Sequence, residues 1–370
     1  MALPPDRTAD RRSDPSPGAD PEAVGSWLAD LWDEPGWRHS TLTPIGGGRS
    51  NLTYRVDSPA GSVVLRRPPV GEVAATAHDM GRERRVISAL AGTGVPVPRV
   101  LAYADGGPPV GAACFVMDYL EGVVPLAELP PGWADTEPER RRAGEALVDV
   151  LVRLHAVDPE AVGLADFGRP AGFLARQVRR WGTQWEAAQQ HADAGGTDPG
   201  TAAELTRLAT ALAADIPATQ RHTVVHGDYR IDNCLYDAAD PGTIRAVLDW
   251  ELSTLGDPLA DLGLLFIYWH QADDEPIWRA AQHLSSPTRL PGFPRRAEIA
   301  QAYAAGSGLD LDPLPWYVAF GSFKLAVVLA GIVARVRAGM VPASMAEGLA
   351  GSVDPLVALG HHVLAEGLNS

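Results

Sequence analysis

Asp228 stands just past a short apolar run, in Val224-Val225-His226-Gly227-Asp228, and Asn233 follows five residues later, before a second run, Cys234-Leu235-Tyr236. A further carboxylate, Asp249, closes the run Ala246-Val247-Leu248. Two carboxylates and a carboxamide at strand ends form the hard-oxygen set that phosphoryl transfer needs. One carboxylate can accept the proton of an attacking hydroxyl. The other, with the amide oxygen, can hold Mg²⁺, which takes few protein carboxylates and completes its shell with phosphate and water. Upstream, Gly46-Gly47-Gly48-Arg49-Ser50-Asn51 joins two strand-like runs, and its backbone N–H groups could close over phosphates. Each piece alone has a blander reading. Asp and Asn in turns commonly bond local backbone, Asp249 could simply end its strand, and three glycines between strands are more often a hairpin turn. The order in which they come argues for a joint role.

The elements that must position these residues can be read from patterning. Before the glycines a strand ends near Ile45; after them come strands over about 52–56 and 62–66, joined by Ser58-Pro59-Ala60-Gly61. A helix is expected over 77–90, with Met80, Val86, Ile87 and Leu90 on its apolar face. Pro96 and Pro98 force extended backbone beyond it, and 112–119 reads as a strand. From Pro138 the chain turns helical: Leu147, Val150, Leu151 and Leu154 share one face, as do Leu205, Leu208 and Leu212. Residues 244–250 return as the second strand of a hairpin after Asp228 and Asn233. From Asp257 onward helices alternate with proline-rich breaks.

Composition sets the outer limits. At 370 residues and 39.2 kDa the chain exceeds one compact core, so two domains are expected. A formal charge of −15 argues against general nucleic-acid binding. Two cysteines, Cys114 and Cys234, give neither a disulfide framework nor a cysteine zinc site. Residues 1–24 are polar, rich in Pro, Asp and Arg, and read as a disordered tail with no apolar signal core. The strongly apolar run 325–334 is too short to span a bilayer. A cytoplasmic protein is expected, monomer or homodimer, with a small-molecule partner and no membrane. Among its 31 Lys and Arg residues, Lys324 is the only lysine.

His226-Gly227-Asp228 with Asn233, Leu248-Asp249-Trp250-Glu251, and Gly256-Asp257-Pro258-Leu259-Ala260-Asp261-Leu262 together resemble the aminoglycoside phosphotransferase family, from about Thr41 to Gly339. These are small-molecule kinases with the protein-kinase-like fold. The resemblance implies an α+β architecture of two lobes, a small antiparallel-sheet lobe binding nucleotide over 25–120 and a larger helical lobe over 121–370 with catalytic loop and acceptor site. It implies ATP and Mg²⁺ as cofactors and Asp228 as the catalytic base, with Asn233 and Asp249 on the metal. His226 would brace the loop, and Asp261 would bond its backbone. Gly47, Gly48, Ser50 and Asn51 would lie in the phosphate loop, and Met117, Asp118, Tyr119 and Leu120 beside adenine.

One departure stands out. Kinases of this fold carry a lysine on the third strand, paired with a glutamate on the next helix; here the strand reads Val63-Val64-Leu65-Arg66. Arg66 with Glu83 must take that role if it is filled, since guanidinium also binds phosphate well. Alternation leaves Arg67 on the opposite face. The segments Arg82-Glu83 to Leu90, Val95 to Val100, Val116 to Gly122 and Phe323-Lys324-Leu325 resemble the branch akin to the kinase-like domain fused to some acyl-CoA dehydrogenases. That implies a hydroxyacyl-CoA or hydroxy acid acceptor. Arg179, Arg180, Trp181 and Trp185 could line an anionic, partly apolar acceptor site; alternatively the tryptophans pack in the core and the arginines are solvated. Two other readings stay open: a resistance kinase for aminoglycosides or macrolides, to which Asp273-Asp274-Glu275 could offer negative charge, and a nucleotide-binding pseudokinase with a regulatory role.

Overall fold

A computed structural model of the chain describes residues 18–45, 51–70, 79–190, 198–340 and 349–368. Gly47, Gly48 and Ser50 lie outside them. The contacts divide the chain into two units, Met1–Ala91 with Val97–Leu120, and Gly92–Pro96 with Glu121–Ser370.

The first unit opens with a helix whose first turn, from Pro21 to Val24, falls in the stretch that composition marks as a tail. Helix α1 (Pro21–Trp32) is capped by the Asp20 carboxylate, which accepts from the Glu22 and Ala23 N–H groups, and Pro21 suits its first turn. Val24 and Leu28 are fully buried, so an apolar face anchors residues whose neighbours are polar enough to hide it. Strands β1 (Thr41–Pro44), β2 (Leu52–Ser58) and β3 (Gly61–Arg67) precede helix α2 (Met80–Leu90); β4 (Val100–Asp105) and β5 (Ala113–Asp118) follow. All pairings are antiparallel, in the order β1-β2-β3-β5-β4. β4 is an edge strand that the proline-rich lead-in had concealed. Tyr54, Val56, Val63, Leu65, Cys114 and Val116 pack with Val24 and Leu28 of α1. Side chains alternate along a strand, so Arg66 projects away from that core.

In the second unit, helices α3 (Glu137–His155), α4 (Phe173–Gln190) and α5 (Pro199–Ala214) come before the short strands β6 (Thr223–Val225), β7 (Cys234–Tyr236), β8 (Ile244–Val247) and β9 (Thr254–Gly256). β6 pairs with β9 and β7 with β8, both antiparallel. Then follow α6 (Leu259–Tyr268), α7 (Pro276–Ala281), α8 (Arg296–Ser307), α9 (Leu314–Arg337) and α10 (Val353–Glu366). α9 packs against α4, α5, α6 and α10. At 24 residues it is longer than its most apolar run suggested and is long and apolar enough to cross a membrane, but 78% of its apolar window is buried inside the protein. α6 approaches it closely: a Cβ on Gly263 would sit 2.5 Å from the Tyr317 backbone. The class is α+β, with the sheet concentrated in the first unit and the helices in the second.

Candidate active site

The loop after β6 is held by charge and shape together. Gly227 has φ +86°, and a Cβ there would meet the Leu252 carbonyl oxygen at 2.7 Å, so only glycine suits the turn. Asp261, at the start of α6 and fully buried, accepts from the N–H groups of His226 and Gly227, each at 2.7 Å, and from His155 Nε2 at 3.2 Å. Burial pushes its carboxyl up, but the hydrogen bond and charge of His155 and the Gly227 N–H outweigh it and hold Asp261 below the usual carboxylate range. The Tyr303 hydroxyl bonds the other His155 nitrogen at 2.7 Å.

His226 is fully buried, packed on Trp250 with ring centroids 4.7 Å apart. A carbonyl only accepts, so the 2.9 Å contact with the Leu248 carbonyl assigns the proton to Nε2. Nδ1 is then free to accept from the Asp228 N–H at 3.2 Å. The histidine thus braces the loop at both ring nitrogens. Tyr229 donates its buried hydroxyl to the Leu147 carbonyl of α3 at 2.8 Å, anchoring the loop from below.

Asn233 and Asp249 flank the β7–β8 hairpin. The Leu248 N–H donates to the Asn233 carbonyl at 2.8 Å, which brings the two positions together. Asn233 spends its Nδ2 on Asp228, on the carbonyl at 2.8 Å and on Oδ2 at 3.1 Å, leaving Oδ1 as the acceptor of the amide. Asp249 adopts the left-handed conformation, φ 65° and ψ 60°, which costs a non-glycine residue energy and re-aims its side chain where the strand ends. One carboxylate and one amide oxygen at neighbouring hairpin ends fit Mg²⁺, a hard cation that keeps most positions for phosphate and water.

Two basic residues that had no assigned role enter here. Arg230 lies with Nε 3.4 Å from Asp228 Oδ2 and Nη1 3.0 Å from Asp232 Oδ2, and its guanidinium stacks over Tyr268 at 4.8 Å. Lys324, on α9, donates to the Gly227 carbonyl at 2.7 Å. Burial pushes its ammonium down, against the pull of Asp228 and Asp261 and helped by Arg180. The signal for Lys324 was present: a single lysine on an otherwise apolar helix. Nothing in the spacing pointed to its partner.

In the first unit, Arg66 Nε lies 2.8 Å from Glu83 Oε1, with the two side chains only 12% and 3% exposed, and Arg66 Nη1 bonds Thr53 at 3.3 Å. Asn51, also buried, donates to Glu83 Oε2 at 3.3 Å. Arg67 turns the other way, to the Gly18 and Val110 carbonyls. Met117 and Asp118 end β5; Asp118 pairs with Arg99 at 3.4 Å, and Tyr119 lies under Arg55, 4.2 Å from its ring centroid, with Leu120 the last residue of the unit.

The four acceptor-side candidates on α4 separate. Trp185 is a core residue, 3% exposed, donating Nε1 to Thr206 of α5 at 3.2 Å, so it cannot line an acceptor site. Arg179 and Arg180 are exposed and, among the described residues, neither meets a carboxylate. Trp181 lies between cations: Arg180 is 5.8 Å and Lys324 Nζ 5.6 Å from its ring centroid, and its Nε1 is buried without a hydrogen-bond partner among the described residues. Two of the three carboxylates of the acidic stretch are already paired with arginines. Asp273 pairs with Arg295, and buried Asp274 with Arg296, on the wall of a cavity of about 700 Å³ that Trp278 and Leu314 also line.

Comparison with known proteins supplies the family and the fold. Residues 41–307 match the phosphotransferase enzyme family. Acyl-CoA dehydrogenase family member 10 of Mus musculus is 34% identical over 315 residues, covering 84% of this chain and 28% of that protein. Family member 11 of Rattus norvegicus is 30% identical over 323 residues, 86% of this chain and 40% of that protein. The chain therefore spans well under half the length of these curated relatives. Among solved structures, a Ralstonia eutropha JMP134 protein assigned as an aminoglycoside phosphotransferase superposes with a TM-score of 0.72 at 30% identity, over 92% of this chain and 97% of that one. A microcompartment-associated aminopropanol kinase shares the fold, with a TM-score of 0.55 at 18% identity, over 90% and 95%.

Proposed function

The chain belongs to the phosphotransferase enzyme family, and on that premise we propose that it is a Mg-ATP-dependent kinase acting on the hydroxyl of a small anionic acceptor, a hydroxy acid or its hydroxyacyl-CoA thioester. The observation that carries this reading is the ordered carboxylate of Asp228, held by Asn233 at 3.1 Å on a loop clamped by Asp261. Asp228 accepts the acceptor's hydroxyl proton as the oxygen bonds to the γ-phosphorus and the bond to ADP breaks. Asn233 through Oδ1 and Asp249 would hold Mg²⁺, which would offset the charge on the phosphates. In the first unit, Arg66, oriented by Glu83, binds phosphate oxygens, and the backbone of Met117 to Leu120 takes the adenine. An intact base and metal pair count against a pseudokinase, which has no use for the base.

An anionic acceptor is favoured by local charge. In a chain of net charge −15, Arg179 and Arg180 are exposed and, among the described residues, meet no carboxylate, on the helix whose Trp181 adjoins Lys324. The likeness to the acyl-CoA dehydrogenase family members supports the same class of acceptor. A polycationic aminoglycoside would meet repulsion on α4, and the carboxylates of Asp273 and Asp274 are committed to Arg295 and Arg296. The protein is expected to be cytoplasmic. The deciding experiment is a mass-spectrometric screen for phosphate transfer from Mg-ATP to two pools, hydroxyacyl-CoAs with free hydroxy acids, and aminoglycosides with macrolides. Transfer to the first pool is expected; transfer confined to the second would make this a resistance kinase.

A further inference from the structure

The peptide joining Gly227 to Asp228 is held at both of its polar atoms. Its N–H, on Asp228, donates to His226 Nδ1 at 3.2 Å, and its carbonyl, on Gly227, accepts from Lys324 Nζ at 2.7 Å. That peptide plane sets the backbone on which the Asp228 carboxylate turns, and the preceding Gly227 N–H is itself fixed by Asp261 at 2.7 Å. Lys324 reaches the loop from α9, an element 97 residues distant in sequence. It is also the link to α4, through the Trp181 ring at 5.6 Å, with Arg180 as that ring's second cation.

Residue type supports a specific role. Every other basic side chain of the 31 is arginine, yet this position carries an ammonium. A compact point charge on a flexible stem can reach a single carbonyl beside an aromatic ring, where a planar fork of five donors would be left with unmatched N–H groups. A cation on a largely buried apolar helix is also costly unless it is well partnered.

We propose that Lys324 is a positioning residue of the transfer reaction: it fixes the Gly227–Asp228 peptide plane and so the aim of the Asp228 carboxylate at the acceptor hydroxyl. The proposal rests on the kinase reading above. A small misplacement of a reacting group can cost about 10²-fold in rate, so the effect belongs in kcat.

The test compares Lys324→Met and Lys324→Arg with the wild type. In Lys324→Met, kcat is expected to fall about 10- to 100-fold, with KM for Mg-ATP changed less than about twofold and the melting temperature changed little. Lys324→Arg, which keeps a donor and the charge, should recover part of kcat. Loss of stability together with kcat, unrescued by arginine, would reduce Lys324 to a packing role and overturn the proposal, as would an unchanged kcat in Lys324→Met. Should the methionine variant not fold, the same contrast can be made on wild-type protein, because Lys324 is its only side-chain amine. Acetylation, which removes the charge, should inactivate, and reductive methylation, which keeps it, should not; equal effects of the two reagents would overturn the proposal. Hydrogen exchange over residues 224–233 needs no acceptor. Faster exchange of the Asp228 amide in Lys324→Met is expected, and unchanged exchange would refute the positioning role. A wild type that phosphorylates nothing would instead refute the kinase reading and leave the exchange result standing.

Discussion

Asn233 reaches back along the catalytic loop to Asp228, and its single NH₂ group serves both the Asp228 carbonyl at 2.8 Å and the carboxylate Oδ2 at 3.1 Å. Replacing it with aspartate puts two carboxylates at that distance and removes both donors. Like charges so close disfavour having both ionised. Asn233→Asp is therefore expected to lose at least about 10²-fold in turnover, within the range for losing a general base, and to lose more than Asn233→Ala. Steady-state kinetics across Mg²⁺ concentration check this; a variant at half the wild-type rate would remove the coupling between amide and base.

Asp228 and Asp249 should separate by phenotype. Asp228→Ala is expected to cut kcat by about 10²- to 10⁴-fold while calorimetric titration still finds Mg-ATP binding. Asp249→Asn should weaken nucleotide binding in Mg²⁺ and leave it little changed in EDTA. If Asp228→Ala still turned over, another group would have to be the base; an unaltered Mg²⁺ dependence in Asp249→Asn would take that residue off the metal.

Asp261 needs both carboxylate oxygens. Oδ1 accepts from Gly227 and Oδ2 from His226 and His155. An asparagine must turn its NH₂ toward one of those donors, leaving a buried N–H unpaired at a cost of about 1–3 kcal/mol. Asp261→Asn should melt earlier and turn over more slowly, without a matching loss of Mg-ATP affinity. A melting temperature equal to wild type would mean that the loop does not depend on this clamp.

The Arg66–Glu83 pair is buried enough for its rupture to register in stability. Removing one partner of a buried pair costs about 3–5 kcal/mol because the other charge is stranded, so Glu83→Ala should be markedly less stable than Glu83→Gln. Arg66→Lys, which keeps the cation but cannot bond Glu83 and Thr53 as a fork does, should bind Mg-ATP more weakly than wild type and more tightly than Arg66→Met. Equal affinity in all three would leave the pair a purely structural one.

Legibility in the sequence followed the range of the interactions. Strands β2 and β3, the β7–β8 hairpin and the face shared by Leu205, Leu208 and Leu212 were readable because period and turn chemistry are local. Asp228, Asn233 and Asp249 stood out only in combination, because each alone has a common local use at a turn or strand end. Helix α1 was hidden because a disorder-prone composition surrounds a short capped helix whose burial depends on packing against the distant sheet. Trp181 and Trp185, four residues apart on α4, carry the same local signal yet separate into a partner of Lys324 and a core residue bonded to Thr206. The Lys324 contact with Gly227 was unreadable for the same reason, since no pattern in α9 names a carbonyl so far away.

Acid should loosen the helical unit in a defined window. Burial pushes His270 down to about 4, with Asp274 opposing it and the positive charge of Arg296 and Arg289 adding to it; burial also takes His283 to about 4. In the unfolded chain both would titrate near the ordinary value of 6.5. Between those values the unfolded chain holds protons that the folded chain does not, so stability rises with pH there. The contribution is complete above about 6.5 and is lost as pH falls toward 4. For His270, only 4% exposed, it amounts to a few kcal/mol at most, taking about 1.4 kcal/mol per pH unit. Partly exposed His283 contributes less. Asp232 and Asp257, both raised by burial, take up protons before the unfolded chain does and soften the loss at the acid end. Asp261, held low, acts below the histidine window. The melting temperature should be nearly flat from pH 8 to 7 and fall between about 6.5 and 4.5. His270→Gln cannot take up that proton, so its melting temperature should depend less on pH across the same interval. An identical slope in His270→Gln and wild type, measured by calorimetry in matched buffers, would show that His270 does not set the acid limit.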